Sequence, residues 1–272
     1  MQILSSIGIL ALSLTSISAS AWYKMGHRVV AQIALNQFSE AEQKQIQDRF
    51  GDLVQMADEP DGYRSISTTL SGWHYIDYPL VEEPIQAKIS LVEEKNNIVW
   101  ALKESKRALE NHYKKDRNQY PHFSKIFQSN LVHLMGDIHQ PLHCISRVTA
   151  KFPKGDKGGN LFFVRYQGKK QNLHSLWDSG FGFMDEISEN SLIRAAQEIQ
   201  AEFPKEKKIL NEKIDFHAWS KESYEIAKSE AYATPEDQEV SSAYVKQAKS
   251  TIKKRLSLAG YRLAAVLRKI IW

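Results

Sequence analysis

The chain has 272 residues, 42% of them hydrophobic, and a formal net charge of +4. That is enough apolar material for one large domain or two modest ones, and the mild positive excess suits a polyanionic partner without demonstrating one. A single cysteine, Cys144, excludes an internal disulfide, and no segment beyond the first twenty residues is apolar enough to read as membrane-spanning.

Residues 1–21 carry no charged side chain. They hold a short apolar run from Ile7 to Leu14 and end Ala19-Ser20-Ala21, a small-x-small cleavage pattern. The segment reads as a secretory signal peptide that lacks the usual basic residue near its start, with a membrane anchor as the alternative. Cleavage after Ala21 would leave a mature chain, 22–272, beginning at Trp22. With no internal repeat, low-complexity tract or clear linker, that stretch reads as one domain.

Its pattern is mainly α, a multi-helix bundle with a small β-hairpin. The stretch Trp22 to Leu35 begins extended and becomes helical near His27. Ser39-Glu40-Ala41-Glu42 is a capping box that starts a helix ending near Phe50, where Gly51 suits the C-terminal cap. Residues 51–80, rich in Gly, Pro, Asp and Ser, read as a long loop broken by short turns. Apolar residues at helical spacing, including Ile89, Val92, Ile98, Val99, Leu102 and Leu109, predict a helix from about Ile85 to Lys114. Another helix runs from about Pro121 to Gln140. Leu161 to Tyr166 is the one convincing strand, with Gln167-Gly168 as its turn. A helical piece starts at Leu173, and three or four helices fill 188–271, split near Pro204 and Pro235.

Ligand-type residues gather at five places. The densest is His133-Leu134-Met135-Gly136-Asp137-Ile138-His139-Gln140-Pro141-Leu142-His143. His133 and Asp137 stand four apart, on one helical face, and Pro141 stops the helix so that His143 hangs just beyond it. Imidazole and carboxylate side by side suit zinc; a buried helix with hydrogen-bonded histidines is the other reading. His174 and Asp178 repeat the four-residue spacing. Trp22 with His27, Asp58, and His74 within Trp73-His74-Tyr75-Ile76-Asp77 complete the set. Gly155-Asp156-Lys157-Gly158-Gly159-Asn160 forms a loop whose glycines permit close backbone approach. Nitrogen and oxygen ligands without thiolate favour a catalytic over a structural site. Cys144 is read as a small buried residue, with soft ligation as the alternative.

In the order and spacing of these motifs the chain resembles the S-one/P-one type zinc nucleases, on a scaffold shared with bacterial phospholipase C. The resemblance covers 22–272. It implies three zinc ions: one on Asp58, His74, His133 and Asp137, one on His143, His174 and Asp178, and one on Trp22, His27 and Asp137, with Asp137 bridging two of them. It implies an exported, periplasmic or extracellular monomer without stable membrane association. Such an enzyme would hydrolyse single-stranded DNA and RNA to 5′-nucleotides, with 3′-nucleotidase activity. Water activated by the ions attacks phosphorus, so no protein nucleophile is needed. Asp58 would orient that water, Asn160 would approach the phosphate, and Arg64 would supply a nearby cation. Tyr75 would stack a base and Asp77 would bond its edge. A phospholipase C is the alternative, disfavoured because those lipases resemble a Glu where this chain has Asp178. His139 has no ligand role in the pattern, and His112, His122 and His217 match nothing in it.

Overall fold

The computed structural model describes residues 22–64, 66–82, 95–115, 121–210 and 212–272; the expected signal peptide lies outside them. The centre of the molecule is the helix that carries His133. This helix, Pro121–Asp137, passes into a tight 3-10 turn at Pro141–Cys144, and every residue from 128 to 146 is buried. A helix whose C-terminal half is buried on every side belongs in the middle of a bundle. Leu131, Val132, Leu134 and Met135 fill the core around it.

The bundle is laid down in chain order. Helix α1 (Lys24–Leu35) is followed by α2 (Glu40–Phe50), whose start is the anticipated capping box of Ser39 and Glu42. Three short helices, α3 (Leu53–Met56), α4 (Glu59–Tyr63) and α5 (Thr68–Gly72), occupy the stretch expected to be loop. Side-chain caps account for part of this: Asp52 accepts from the backbone N–H groups of Val54 and Gln55, and a residue read as loop-forming acts as a helix start. After strand β1 (Pro79–Val81) comes α6 (Ile98–Lys115). The residues before Lys95 that were expected to belong to this helix lie outside the described residues. Helix α7 is Pro121–Asp137, three residues shorter than expected because Gln140 takes an extended φ/ψ ahead of Pro141. Strand β2 (Ser146–Val148) pairs in parallel with β1, and β3 (Phe163–Tyr166) pairs with β4 (Lys169–Asn172) in the anticipated hairpin. The hairpin turn uses positive φ at both Gln167 (53°) and Gly168 (74°), as a tight two-residue connection requires. Then come α8 (Leu173–Asp178), α9 (Leu192–Glu202), α10 (Lys207–Leu210), α11 (Phe216–Ile226) and the long α12 (Ser242–Ile271). The breaks near Pro204 and Pro235 fall where the sequence places them.

Two packing details position the site. Helix α12 crosses α1 at Gly260, where a Cβ would run into Ile33. The β1–β2 pair sets the segment 74–78 beside the turn after α7: Ile76 donates to the His143 carbonyl (2.8 Å) and Ser146 to the Tyr78 carbonyl (2.9 Å). That parallel pair was not anticipated. Buried side chains from α1, α7, α11, α12 and the connecting segments form one hydrophobic cluster, and among the described residues no helix is long and apolar enough to cross a membrane.

Candidate metal centre

Three groups of histidine and carboxylate atoms converge on the C-terminal end of α7: His27, Asp61 and His133; His74, His133 and Asp137; His143, His174 and Asp178. Helical spacing builds two of them. His133 Nε2 lies 3.3 Å from Asp137 Oδ2, and His174 Nε2 lies 3.3 Å from Asp178 Oδ2, each pair at i,i+4. Chain topology adds the rest. His74 Nδ1 is 2.8 Å from Asp137 Oδ2 and 3.1 Å from His133 Nε2. His143 and His174 face each other through Nε2 at 3.2 Å. His27 arrives from α1, stacks on His133 at a centroid distance of 3.7 Å, and places Nε2 3.3 Å from Asp137 Oδ1.

Backbone carbonyls set the histidine tautomers. His133 Nδ1 is 2.7 Å from the Ala57 carbonyl, His143 Nδ1 is 2.7 Å from that of His74, and His174 Nδ1 is 2.6 Å from that of Gly158. A carbonyl can only accept, so Nδ1 carries a proton in each ring and Nε2 faces the cluster; a metal ion would take the Nε2 lone pair of neutral His143 and His174 directly and displace a proton from that of His133. His139 differs. Its Nδ1 donates to the Met135 carbonyl (2.7 Å) and its Nε2 accepts from Arg262 (3.0 Å), so both ring nitrogens are engaged away from the cluster.

Burial and charge agree with a cation site. Desolvation lowers His27 and His174 to about 3 and His74 to about 4, and also lowers His143, so these imidazoles stay neutral and able to donate lone pairs. At His133 desolvation also pulls down, but the carboxylates of Asp137 and Asp61 outweigh it and raise the ring to about 9. Desolvation would raise Asp137, yet the surrounding imidazoles, His133 first, hold it well below the usual carboxylate range. Asp178 is pushed well above that range by burial, although Gln140 Nε2 donates to its Oδ1 at 2.6 Å. Among the described residues, five buried side-chain atoms lack a hydrogen-bond partner. Four belong here: both ring nitrogens of His27, Asp137 Oδ1 and Asp178 Oδ2. A buried polar atom left unpaired costs about 1–3 kcal/mol, and bound cations would relieve three of the four: His27 Nε2, which faces Asp137 Oδ1, Asp137 Oδ1 itself and Asp178 Oδ2. The donor set is nitrogen and oxygen throughout, so it fits zinc or a similar divalent ion in a catalytic setting.

The structure corrects one expected ligand. Asp58 turns away from the cluster to Arg28 (2.7 Å) and Lys24 (3.8 Å). Asp61, one helical turn later on α4, takes its place, 3.7 Å from His133 Nε2 and held by Arg64 at 3.3 Å. The only sequence signal was that Asp58-Glu59-Pro60-Asp61 offers two aspartates at i,i+3, which leaves the choice open. Arg28, next to His27, decides it by claiming the first. Gln140, also missed, accepts from the Leu142 N–H (2.6 Å) while donating to Asp178, and so ties the helix stop to the second group.

The remaining expected residues surround the cluster. Trp22 is fully buried, its indole N–H donates to the Gly136 carbonyl (2.9 Å), and Tyr23 N–H donates to the Asp178 carbonyl (3.1 Å). Gly136 is needed for this contact, because a Cβ there would stand 2.7 Å from His27 Nδ1. The positive charge of Arg64 lowers His74, His143 and His174, which puts it within electrostatic reach of both halves of the centre. Asn160 donates to the Lys157 carbonyl (2.8 Å) and braces the glycine loop that bonds His174. Along 73–78 burial alternates: His74, Ile76 and Tyr78 point inward, while Trp73, Tyr75 and Asp77 are partly or fully exposed. Cys144 is buried, with its thiol pushed up to about 12 by desolvation, and does not join the three groups.

Residues 22–272 fit the model of the S1/P1 nuclease family, the S-one/P-one group whose motifs the sequence resembles. The chain belongs to the S1/P1 nuclease family. It is 33% identical to Endonuclease 5 of Arabidopsis thaliana over 153 residues, covering 52% of this chain and 49% of that protein. Endonuclease 4 of the same plant is 32% identical over 153 residues, covering 52% and 48%. Nuclease S1 of Aspergillus oryzae is 43% identical over 49 residues, covering 18% and 14%. The chain thus spans about half the length of the plant relatives it matches. The three His/Asp groups could hold metal ions.

Proposed function

We propose that this protein is an exported, zinc-dependent phosphodiesterase that hydrolyses single-stranded DNA and RNA to 5′-nucleotides and removes phosphate from 3′-nucleotides. The observation that carries the reading is the gathering of three buried His/Asp groups at one end of α7, in a chain that belongs to a nuclease family. Three zinc ions would be held by Asp61, His74, His133 and Asp137, by His143, His174 and Asp178, and by Trp22, His27 and Asp137. Asp61 stands here in place of the expected Asp58. When bound, the ions lower the pKa of water and neutralise charge on phosphate. The protein's own groups do the rest. Carbonyl-anchored Nδ1–H groups hold His133, His143 and His174 in the ligating tautomer. Arg64 brings a fixed positive charge to the phosphate side of the centre, and Asn160 stiffens the loop behind His174. Tyr75 offers a ring for a base and Asp77 an acceptor for its edge; a stacked base has left its duplex partner, which favours single strands. A mature chain starting at Trp22, where the family match also begins, would offer its free amine as a ligand.

The test is an assay of purified mature protein on single-stranded DNA, RNA, a 3′-nucleotide and phosphatidylcholine, with metal content measured alongside. Nucleic-acid hydrolysis lost on chelation and restored by zinc is expected. Phosphatidylcholine hydrolysis without nucleic-acid hydrolysis would replace this reading with a phospholipase C, against which Asp178 and the Tyr75/Asp77 pair argue.

A further inference from the structure

Beside the metal centre lies an aromatic surface that the reading above does not use. Trp73 and Trp100 pack together with ring centroids 5.6 Å apart, and Trp100 is 41% exposed. Both are fixed. The Trp73 indole donates to Asn96 Oδ1 at 2.9 Å, and the Trp100 backbone N–H donates to Asn97 Oδ1 at 3.1 Å at the start of α6. Trp73 directly precedes His74, and Ile98 N–H donates to the Tyr75 carbonyl at 3.1 Å, so the pair is tied to the segment that carries a metal ligand. Trp73 also lies on the outward side of that segment, with Tyr75 and Asp77.

From Trp100 a line of cations runs away along the same helix. Lys103 and Arg107 follow at i+3 and i+7, both exposed, roughly 5 and 10 Å further along the axis. With Lys106 they form one wall of a groove of about 1150 Å³; Lys213 and Lys269 line the other wall, and Trp272 also borders it. The acids in this groove are already committed: Glu110 to Lys106, Glu212 to Arg262, and Asp215 to the N-terminus of α11. Arg107 is exposed but shares its charge with Glu104 one turn back, whereas Lys103, Lys213 and Lys269 have no acidic partner among the described residues. Rigid aromatic rings followed by such cations match the needs of a single-stranded polynucleotide, whose bases stack and whose phosphates require charge.

We propose that Trp100, backed by Trp73, stacks a base of the substrate strand outside the scissile linkage, and that the strand continues along α6 with its phosphates on Lys103, Arg107 and the groove beyond. This rests on the nuclease reading above and adds an extended subsite for polymer substrates. The ligand is nucleic acid rather than an apolar partner because the surface grows more cationic, not more hydrophobic, away from the centre.

The test compares kcat/KM on a single-stranded DNA 12-mer with kcat/KM on a dinucleotide, using the full mature, zinc-loaded chain. In Trp100→Ala the polymer-to-dinucleotide ratio falls about tenfold, as expected for one lost base–aromatic stack; Trp100→Phe keeps most of the ratio. The double variant Lys103→Glu/Arg107→Glu lowers the ratio independently and flattens its decline with added salt. Ratios equal to wild type in both Trp100→Ala and the charge-reversed variant overturn the subsite, as does an equal loss in Trp100→Ala and Trp100→Phe. A wild-type protein that cleaves neither substrate overturns the underlying nuclease reading instead, so the two failures are distinct.

Discussion

Asp58 stands at the N-cap of a short helix and Asp61 one turn into it, yet they meet different fates. Asp58 neutralises Arg28, and Asp61 faces His133 and Arg64. Asp61→Asn should therefore lose zinc from the first group and lower kcat/KM by roughly a hundredfold or more, since even groups that merely support a ligand cost 10- to 100-fold. Asp58→Asn should cost stability through Arg28 while metal content stays at the wild-type level. Metal analysis of the two purified variants checks this, and zinc loss in Asp58→Asn alone would reverse the assignment. The histidines predict a pH response for the metal-stripped protein. His27, His74 and His174 have folded-state values of about 3, 4 and 3, below the ordinary 6.5. Below pH 6.5 the unfolded chain takes up protons that the folded rings refuse, so stability falls as pH drops from about 6.5 toward 3. His133, raised to about 9, acts the other way: its contribution is present below 6.5 and is lost as pH rises through 9. Thermal melts of chelated protein from pH 4 to 10 should peak near neutrality, with the steeper fall on the acid side where three rings act together.

At the scale of elements, two glycines separate packing from ligation. Gly260 lets α12 approach α1 at Ile33, whereas Gly136 lets Trp22 and His27 approach α7. Gly260→Ala should destabilise the fold by about 1–3 kcal/mol through overpacking, with zinc stoichiometry unchanged. Gly136→Ala, whose Cβ would press on His27 Nδ1, should lose the ion shared by His27 and Asp137. Chemical denaturation and metal analysis distinguish the two effects. The same elements show what a sequence conveys. The ligand face of α7 was legible because His133 and Asp137 repeat the spacing of His174 and Asp178, and because Pro141 marks the stop. Strands β1 and β2 were not, because three-residue parallel strands carry no periodic signal; their pairing is set by the turn that brings Ile76 against His143. The short helices of 51–72 were hidden for a similar reason. Their stability comes from a cap at Asp52 and from packing of Leu53 and Met56, not from an amphipathic repeat. The choice of Asp61 over Asp58 depended on a residue thirty positions upstream, which no local pattern encodes.

For the molecule as a whole, bound metal would replace the cross-links that the composition denies it. With Cys144 alone no disulfide can form, yet the three groups join α1, α4, the segment at His74, α7 with its following turn, and α8. Bound ions would hold together stretches more than a hundred residues apart. They would also give the buried Asp178 carboxylate the cation it otherwise lacks and satisfy the orphaned atoms His27 Nε2, Asp137 Oδ1 and Asp178 Oδ2. Ligands that bind only the folded state stabilise it by about 4 kcal/mol at a thousandfold excess over Kd, which for a chain of this size shifts Tm by on the order of 10 °C per site. Chelation should therefore lower Tm by at least that amount, and zinc should restore it. The His143→Ala and His27→Ala variants should each show a smaller chelation shift than wild type, because each begins with one site already emptied. Scanning calorimetry with and without chelator measures the difference. A wild-type Tm indifferent to chelation would mean that the hydrophobic cluster alone carries the fold and that the ions serve chemistry only.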